Sequence, residues 1–117
     1  EETAGAVRAA PHEDINLISI LPVSHQPGLQ VKTLRGEWLN LETSTGELIV
    51  NIGDMLEKAS DGYFPSTTHQ VINPVDAEEN ISRISIPFFL TPHLEFFLSD
   101  SYTAGSYLDE RLKLLNR

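Results

Sequence analysis

The chain has 117 residues, enough for one domain around one hydrophobic core and too few for two ordinary ones. Hydrophobic residues at 40% and charged residues at 21% describe a folding chain, not a disordered tail. A net charge of −9 argues against a phosphate-backbone binder, whose affinity comes from clustered Lys and Arg, and the lack of cysteine excludes disulfides, thiolate metal sites and thiol nucleophiles. No nucleic-acid partner is expected, and any metal must be held by nitrogen and oxygen. No apolar run approaches the roughly 20 residues of a membrane span, and Glu1-Glu2-Thr3-Ala4-Gly5 lacks signal-peptide character, so the expectation is no membrane partner and a cytoplasmic setting.

Residues 1–11, acidic and then Ala-rich up to Pro11, read as a lead-in loop. Ile15, Leu17, Ile18, Ile20 and Leu21 form a β-branched apolar run between Asp14 and Pro22, the pattern of a buried strand. Ser24-His25-Gln26-Pro27-Gly28 reads as a turn that exposes His25. Leu29–Leu34 and Trp38–Leu41 alternate about the turn Arg35-Gly36-Glu37 and predict a paired set, with Trp38 in the core. Thr43-Ser44-Thr45-Gly46 is a further turn, followed by a strand at Leu48-Ile49-Val50 and Ile52. Gly53-Asp54 breaks it, and Asp54 is a candidate N-cap for a short helix through Met55, Leu56 and Lys58, ended by Asp61-Gly62.

Tyr63–Ile72 and Ile81–Leu90 read as strands separated by the turn residues Asn73-Pro74-Val75-Asp76. Phe88, Phe89, Phe96 and Phe97 are expected to pack in the core or against a helix, and His93 to lie in a loop. Glu1-Glu2 and Glu78-Glu79 are expected in solvated loops. Ser106 with Asp109 resembles a capping box for a terminal helix carrying Leu108, Leu112 and Leu115. Short strands with frequent turns predict an all-β sandwich or barrel.

His12-Glu13-Asp14 places two ligand types two residues apart, so on extended backbone both project from one face. His69, 55 positions after Asp14 and close to a strand end, is the candidate third ligand. Two imidazoles and one carboxylate make a facial triad that leaves three positions open on iron(II). The alternative for His-x-Asp alone is a polar or capping role. Arg83 and Ser85 share one face of the predicted strand, with Ile84 on the other, and could grip a carboxylate together; the alternative is a structural ion pair or a polar outer face.

Taken together, His12, Asp14, His69, Arg83 and Ser85 resemble the pattern of the iron(II)/2-oxoglutarate-dependent oxygenases, in the branch similar to isopenicillin N synthase: His-x-Asp, about 55 residues, a second His, then Arg-x-Ser about 10–14 residues on. Pro27-Gly28-Leu29-Gln30-Val31, Val50-Asn51-Ile52-Gly53-Asp54 and Ser66-Thr67-Thr68-His69-Gln70-Val71 add to the likeness. The resemblance implies a double-stranded β-helix, or jelly roll, over residues 12–98, lacking its first barrel strand, with a short internal helix and a C-terminal helical extension over 99–117. It implies iron(II) held by His12, Asp14 and His69, with no catalytic residue beyond these ligands, and 2-oxoglutarate as cosubstrate bound by Arg83 and Ser85. Gln30 is a candidate pocket residue. The implied reaction oxidises a C–H bond of a small molecule with O2 and releases succinate and CO2. Two other readings stay open: an oxidase like isopenicillin N synthase that uses no 2-oxoglutarate, and a truncated, inactive module that binds metal or carboxylate. The missing strand predicts a homo-oligomer or a further N-terminal segment over the open sheet edge.

Overall fold

A computed structural model describes residues 7–23, 26–74 and 81–115. In chain order the elements are β1 (Ala9–His12), β2 (Ile18–Pro22), β3 (Leu29–Lys32), β4 (Trp38–Asn40), β5 (Leu48–Ile52), α1 (Asp54–Ala59), β6 (His69–Val71), β7 (Phe88–Leu90), β8 (Phe97–Ser99), β9 (Tyr102–Thr103) and α2 (Ala104–Leu115). Two antiparallel sheets form the jelly roll, one ordered β1-β6-β3-β4 and the other β5-β2-β7; β8 and β9 make a small separate pair.

β2 lies at the centre of its sheet, and period-two alternation divides its side chains between the two faces. Ser19 sits opposite Asn51 of β5 and Phe89 of β7, while Ile18 and Ile20 point to the other face with Ile52, Val50, Leu90 and Phe88. One face of this sheet is therefore mixed polar and aromatic, and the other is wholly apolar. In the second sheet Val31 lies opposite His69 across β3 and β6, and His12 of β1 lies opposite His69 on the other side.

Several expectations are corrected. Ala9–Pro11, read as loop, belong to β1; the register shifts between Ala9 and His12, and an irregular ladder tolerates Pro11, which has no N–H to donate. The apolar run from Ile15 becomes strand only at Ile18, because the Asp14, Asn16 and Leu17 carbonyls are taken by the Asp54, Met55 and Gly53 amides. Between Tyr63 and Ile72 only β6 is strand. The Tyr63 and Thr67 amides bond instead to the Ser60 and Ile52 carbonyls, and the Ser66 amide to the Glu57 carboxylate. Of Ile81–Leu90 only β7 is strand, since the Ile81 and Ser82 carbonyls accept from the Arg8 and Gln26 side chains.

The helix caps also differ from expectation. Gly53, not Asp54, caps α1, and the Asp54 carboxylate turns to Arg111. At α2 the reciprocal pair is Thr103 with Ser106, the Ser106 amide donating to Thr103 Oγ1 (3.2 Å) and the Thr103 amide to Ser106 Oγ (3.0 Å), so Asp109 takes no part.

The buried apolar cluster is small: Met55, Leu98 and Ala104, with Ile15, Leu17, Tyr107 and Leu108 packed on it between α1, β8 and α2. Phe88, Phe89, Phe96 and Phe97, expected in the core or against a helix, are all exposed, and so are Leu112 and Leu115 of α2. Trp38 is half-buried on β4, with Lys32 Nζ 5.8 Å above its ring. His93 is exposed in a loop, as its Pro neighbour suggested. His25, Glu1, Glu2, Glu78 and Glu79 lie outside the described residues. Among the described residues no helix is long and apolar enough to cross a membrane.

Candidate metal centre and its pocket

The direct pairing of His12 with His69 across β1 and β6 puts their rings 4.3 Å apart, and two residues of chain bring Asp14 in beside them. Asp14 Oδ1 lies 3.8 Å from His12 Nε2 and 3.8 Å from His69 Nε2. One ligand atom from each residue falls within 4.8 Å of the others. His69 and Asp14 are well buried while His12 is half exposed, so the cluster has a protected floor and an open side.

Local hydrogen bonds prepare these three side chains. His12 Nδ1 is 2.7 Å from the Ala10 carbonyl and His69 Nδ1 is 3.0 Å from the Thr67 carbonyl. A carbonyl only accepts, so both rings donate from Nδ1, which turns each Nε2 toward Asp14 and leaves it as the atom to meet a metal. Asp14 divides its oxygens in the same way: Oδ2 accepts from the Ser19 hydroxyl and Oδ1 faces the imidazoles. Ser19 Oγ in turn accepts from Asn16 Nδ2 at 3.0 Å. This outer layer fixes rotamers and tautomers as a metal site needs.

The loop carrying Asp14 is held by the start of α1, through Asp54 N–H to Asp14 O (2.8 Å), Met55 N–H to Asn16 O (3.1 Å) and Gly53 N–H to Leu17 O (2.9 Å). The approach is so close that a Cβ on residue 53 would lie 2.2 Å from Asn16 O, which is why glycine stands there. The donor set, two imidazole nitrogens and one carboxylate oxygen with no thiolate, suits iron(II) and leaves coordination positions open.

The cluster opens into a cavity of about 630 Å³ between the two sheets. Its walls are mainly Leu21, Leu29, Val71, Pro87 and Phe89, and its polar atoms come from the triad, Ser19, Asn51, Arg8, Arg83 and Ser85. Arg83 and Ser85 thus face the same cavity as the triad although no strand carries them. Arg83 Nη1 donates to the Gln26 and Pro27 carbonyls at 2.9 and 3.0 Å. Partial burial, and then the positive charge of Arg8, pull its pKa down.

Gln30 is a correction. Its β3 neighbour Leu29 lines the cavity, so Gln30 projects from the opposite face, where it donates to Asn40 Oδ1 (2.8 Å) and accepts from Gln70 Nε2 (2.6 Å). Ser19, Asn51 and Arg8 were not anticipated from sequence. Ser19 and Asn51 each interrupt an apolar strand, in Ile18-Ser19-Ile20 and Val50-Asn51-Ile52, the same signal that marked Arg83. Arg8 carried none.

Comparison with known proteins agrees with this geometry. The model of the 2OG-Fe(II) oxygenase superfamily matches residues 1–92. Gibberellin 2-beta-dioxygenase 7 of Arabidopsis thaliana is 39% identical over 85 residues, 73% of this chain and 24% of that protein. A candidate oxygenase from Shewanella oneidensis is 58% identical with a TM-score of 0.88, the match covering 99% of this chain and 43% of that one. A full-length Neurospora crassa protein crystallised in complex with alpha-KG is 30% identical with a TM-score of 0.81, over 93% of this chain and 38% of that one. The chain spans about a quarter of the length of the curated relatives it matches.

Proposed function

The chain belongs to the 2OG-Fe(II) oxygenase superfamily, and we propose that it carries the iron-binding part of an oxygenase site that couples 2-oxoglutarate to oxidation of a small molecule's C–H bond. The observation that carries this reading is the convergence of His12, Asp14 and His69 within 4.8 Å, at the floor of a cavity that also holds Arg83 and Ser85. With iron(II) and 2-oxoglutarate bound, O2 would be the oxidant: one oxygen atom would enter succinate as the cosubstrate loses CO2, and the other would serve oxidation of the substrate C–H bond.

Every other contribution is made by the protein's own residues. His12 and His69 offer Nε2 lone pairs and Asp14 offers Oδ1, three protein ligands on one side of the ion. Arg83 has Nη1 committed to two carbonyls, which leaves its Nε–H and Nη2–H donors for the distal carboxylate of the cosubstrate, with the Ser85 hydroxyl as a second donor. Leu21, Leu29 and Val71 give the cavity an apolar wall that limits water and strengthens these charge interactions.

The wholly apolar outer face of the β5-β2-β7 sheet supports a covering partner, either a further polypeptide segment or a second copy; Leu48, Val50 and Phe88 there are 63%, 59% and 61% exposed. The setting we propose is the cytoplasm, where iron(II) stays reduced. The experiment is incubation with iron(II), O2, 2-oxoglutarate and a panel of small molecules. Succinate that requires all three cofactors and vanishes in His69→Ala supports the proposal. Substrate oxidation and O2 uptake without succinate would favour the oxidase reading instead.

A further inference from the structure

Arg8 lies just before β1 and lines the same cavity as Arg83. Its Nη1 donates to Gln26 Oε1 at 2.8 Å and its Nη2 to the Ile81 carbonyl at 2.8 Å, so one planar guanidinium joins two separate segments. Gln26 Nε2 continues the link to the Ser82 carbonyl at 2.9 Å, and the Gln26 carbonyl is one of the two acceptors that orient Arg83. Arg8, the 26–27 turn and residues 81–83 therefore close a ring of hydrogen bonds around the Arg83 side chain. No strand ladder holds the described residues 81–87, and the Ile81 and Ser82 carbonyls are tied instead by the Arg8 and Gln26 side chains.

We propose that Arg8 is a positioning residue for the distal-carboxylate subsite: its two-acceptor fork on Gln26 Oε1 and the Ile81 carbonyl fixes the guanidinium of Arg83 through Gln26. The inference rests on the proposed role of Arg83. Burial first, and then the nearby positive charge of Arg8, lower the pKa of Arg83, in keeping with two guanidinium groups held close together on one cavity wall. A lysine could restore the charge but not the two-acceptor fork.

The test is anaerobic equilibrium binding of 2-oxoglutarate and of oxalate to the iron(II)-loaded chain. Oxalate offers a metal-chelating pair without a distal carboxylate. Arg8→Met should weaken 2-oxoglutarate by about tenfold or more while leaving oxalate within about twofold, the loss expected when a charge-assisted contact is misaligned. Gln26→Met should show the same selectivity, and Arg8→Lys should recover only part of the affinity. Equal weakening of both ligands by Arg8→Met, or unchanged 2-oxoglutarate binding in both Arg8→Met and Gln26→Met while Arg83→Met abolishes it, would overturn the inference. If Arg83→Met itself leaves 2-oxoglutarate binding unchanged, the anion-site reading fails and the role of Arg8 falls with it. A melting curve for each variant separates loss of fold from loss of binding, and the Gln26 variant gives the answer if Arg8→Met does not fold.

Discussion

Ser19 shows how much of the candidate centre depends on a side chain that touches no ligand position. Its hydroxyl holds Asp14 Oδ2, and Asn16 holds the hydroxyl, so Oδ1 is left facing both imidazoles. Ser19→Ala should lower iron(II) affinity by about tenfold in an anaerobic titration without altering the fold, the scale typical of losing an outer-layer bond to a ligand. Undiminished affinity would mean that Asp14 needs no such support. Gly53 supports the same carboxylate from the backbone side. With a Cβ only 2.2 Å from Asn16 O, Gly53→Ala must push the Asp14 loop off α1, and a loss of about 2–3 kcal/mol is expected in urea unfolding.

The elements show where sequence patterns can be read and where they cannot. β2, β3, β4, β5 and α1 are legible because alternation and turn residues mark them locally. The triad is legible because ligand types at fixed spacing survive any detail of strand length. Ala9–Pro11 and Ile81–Pro87 defeat the pattern for one reason: their hydrogen-bond partners are remote, β6 in one case and the Arg8 and Gln26 side chains in the other, and remote partners leave no periodic trace. Gln30 misleads because it is one residue out of phase with Leu29, and on a strand one residue exchanges faces.

α2 is tied to α1 by Arg111, which gives Asp54 Oδ2 two hydrogen bonds, at 3.1 Å from Nε and 2.5 Å from Nη2. That bond to Asp54 is the main reason the Arg111 pKa is raised, and Asp54 is almost fully buried. Arg111→Met leaves a buried carboxylate unpaired and should cost about 1–3 kcal/mol, with part restored when Asp54→Asn is added. Additive losses in that double-mutant cycle would show that the pair does not couple the helices.

At the scale of the whole molecule, the distribution of apolar surface is unusual. The innermost cluster is Met55, Leu98 and Ala104, whereas Val50, Phe88 and Leu90 stand exposed on a sheet face among the described residues. Such a face associates in water. Sedimentation of the chain should show self-association that Val50→Lys with Phe88→Lys reduces, while iron(II) affinity stays the same because both residues lie on the side of the sheet opposite Ser19. Unchanged association would place the contact elsewhere.

The central claim is that His12, Asp14 and His69 hold iron(II) together, and anaerobic iron(II) titration of the parent chain beside His12→Ala and His69→Ala tests it most directly. One ion per chain is expected for the parent, with affinity reduced by at least about tenfold in each variant as one of three ligands is lost. Equally weak binding by all three proteins would contradict it.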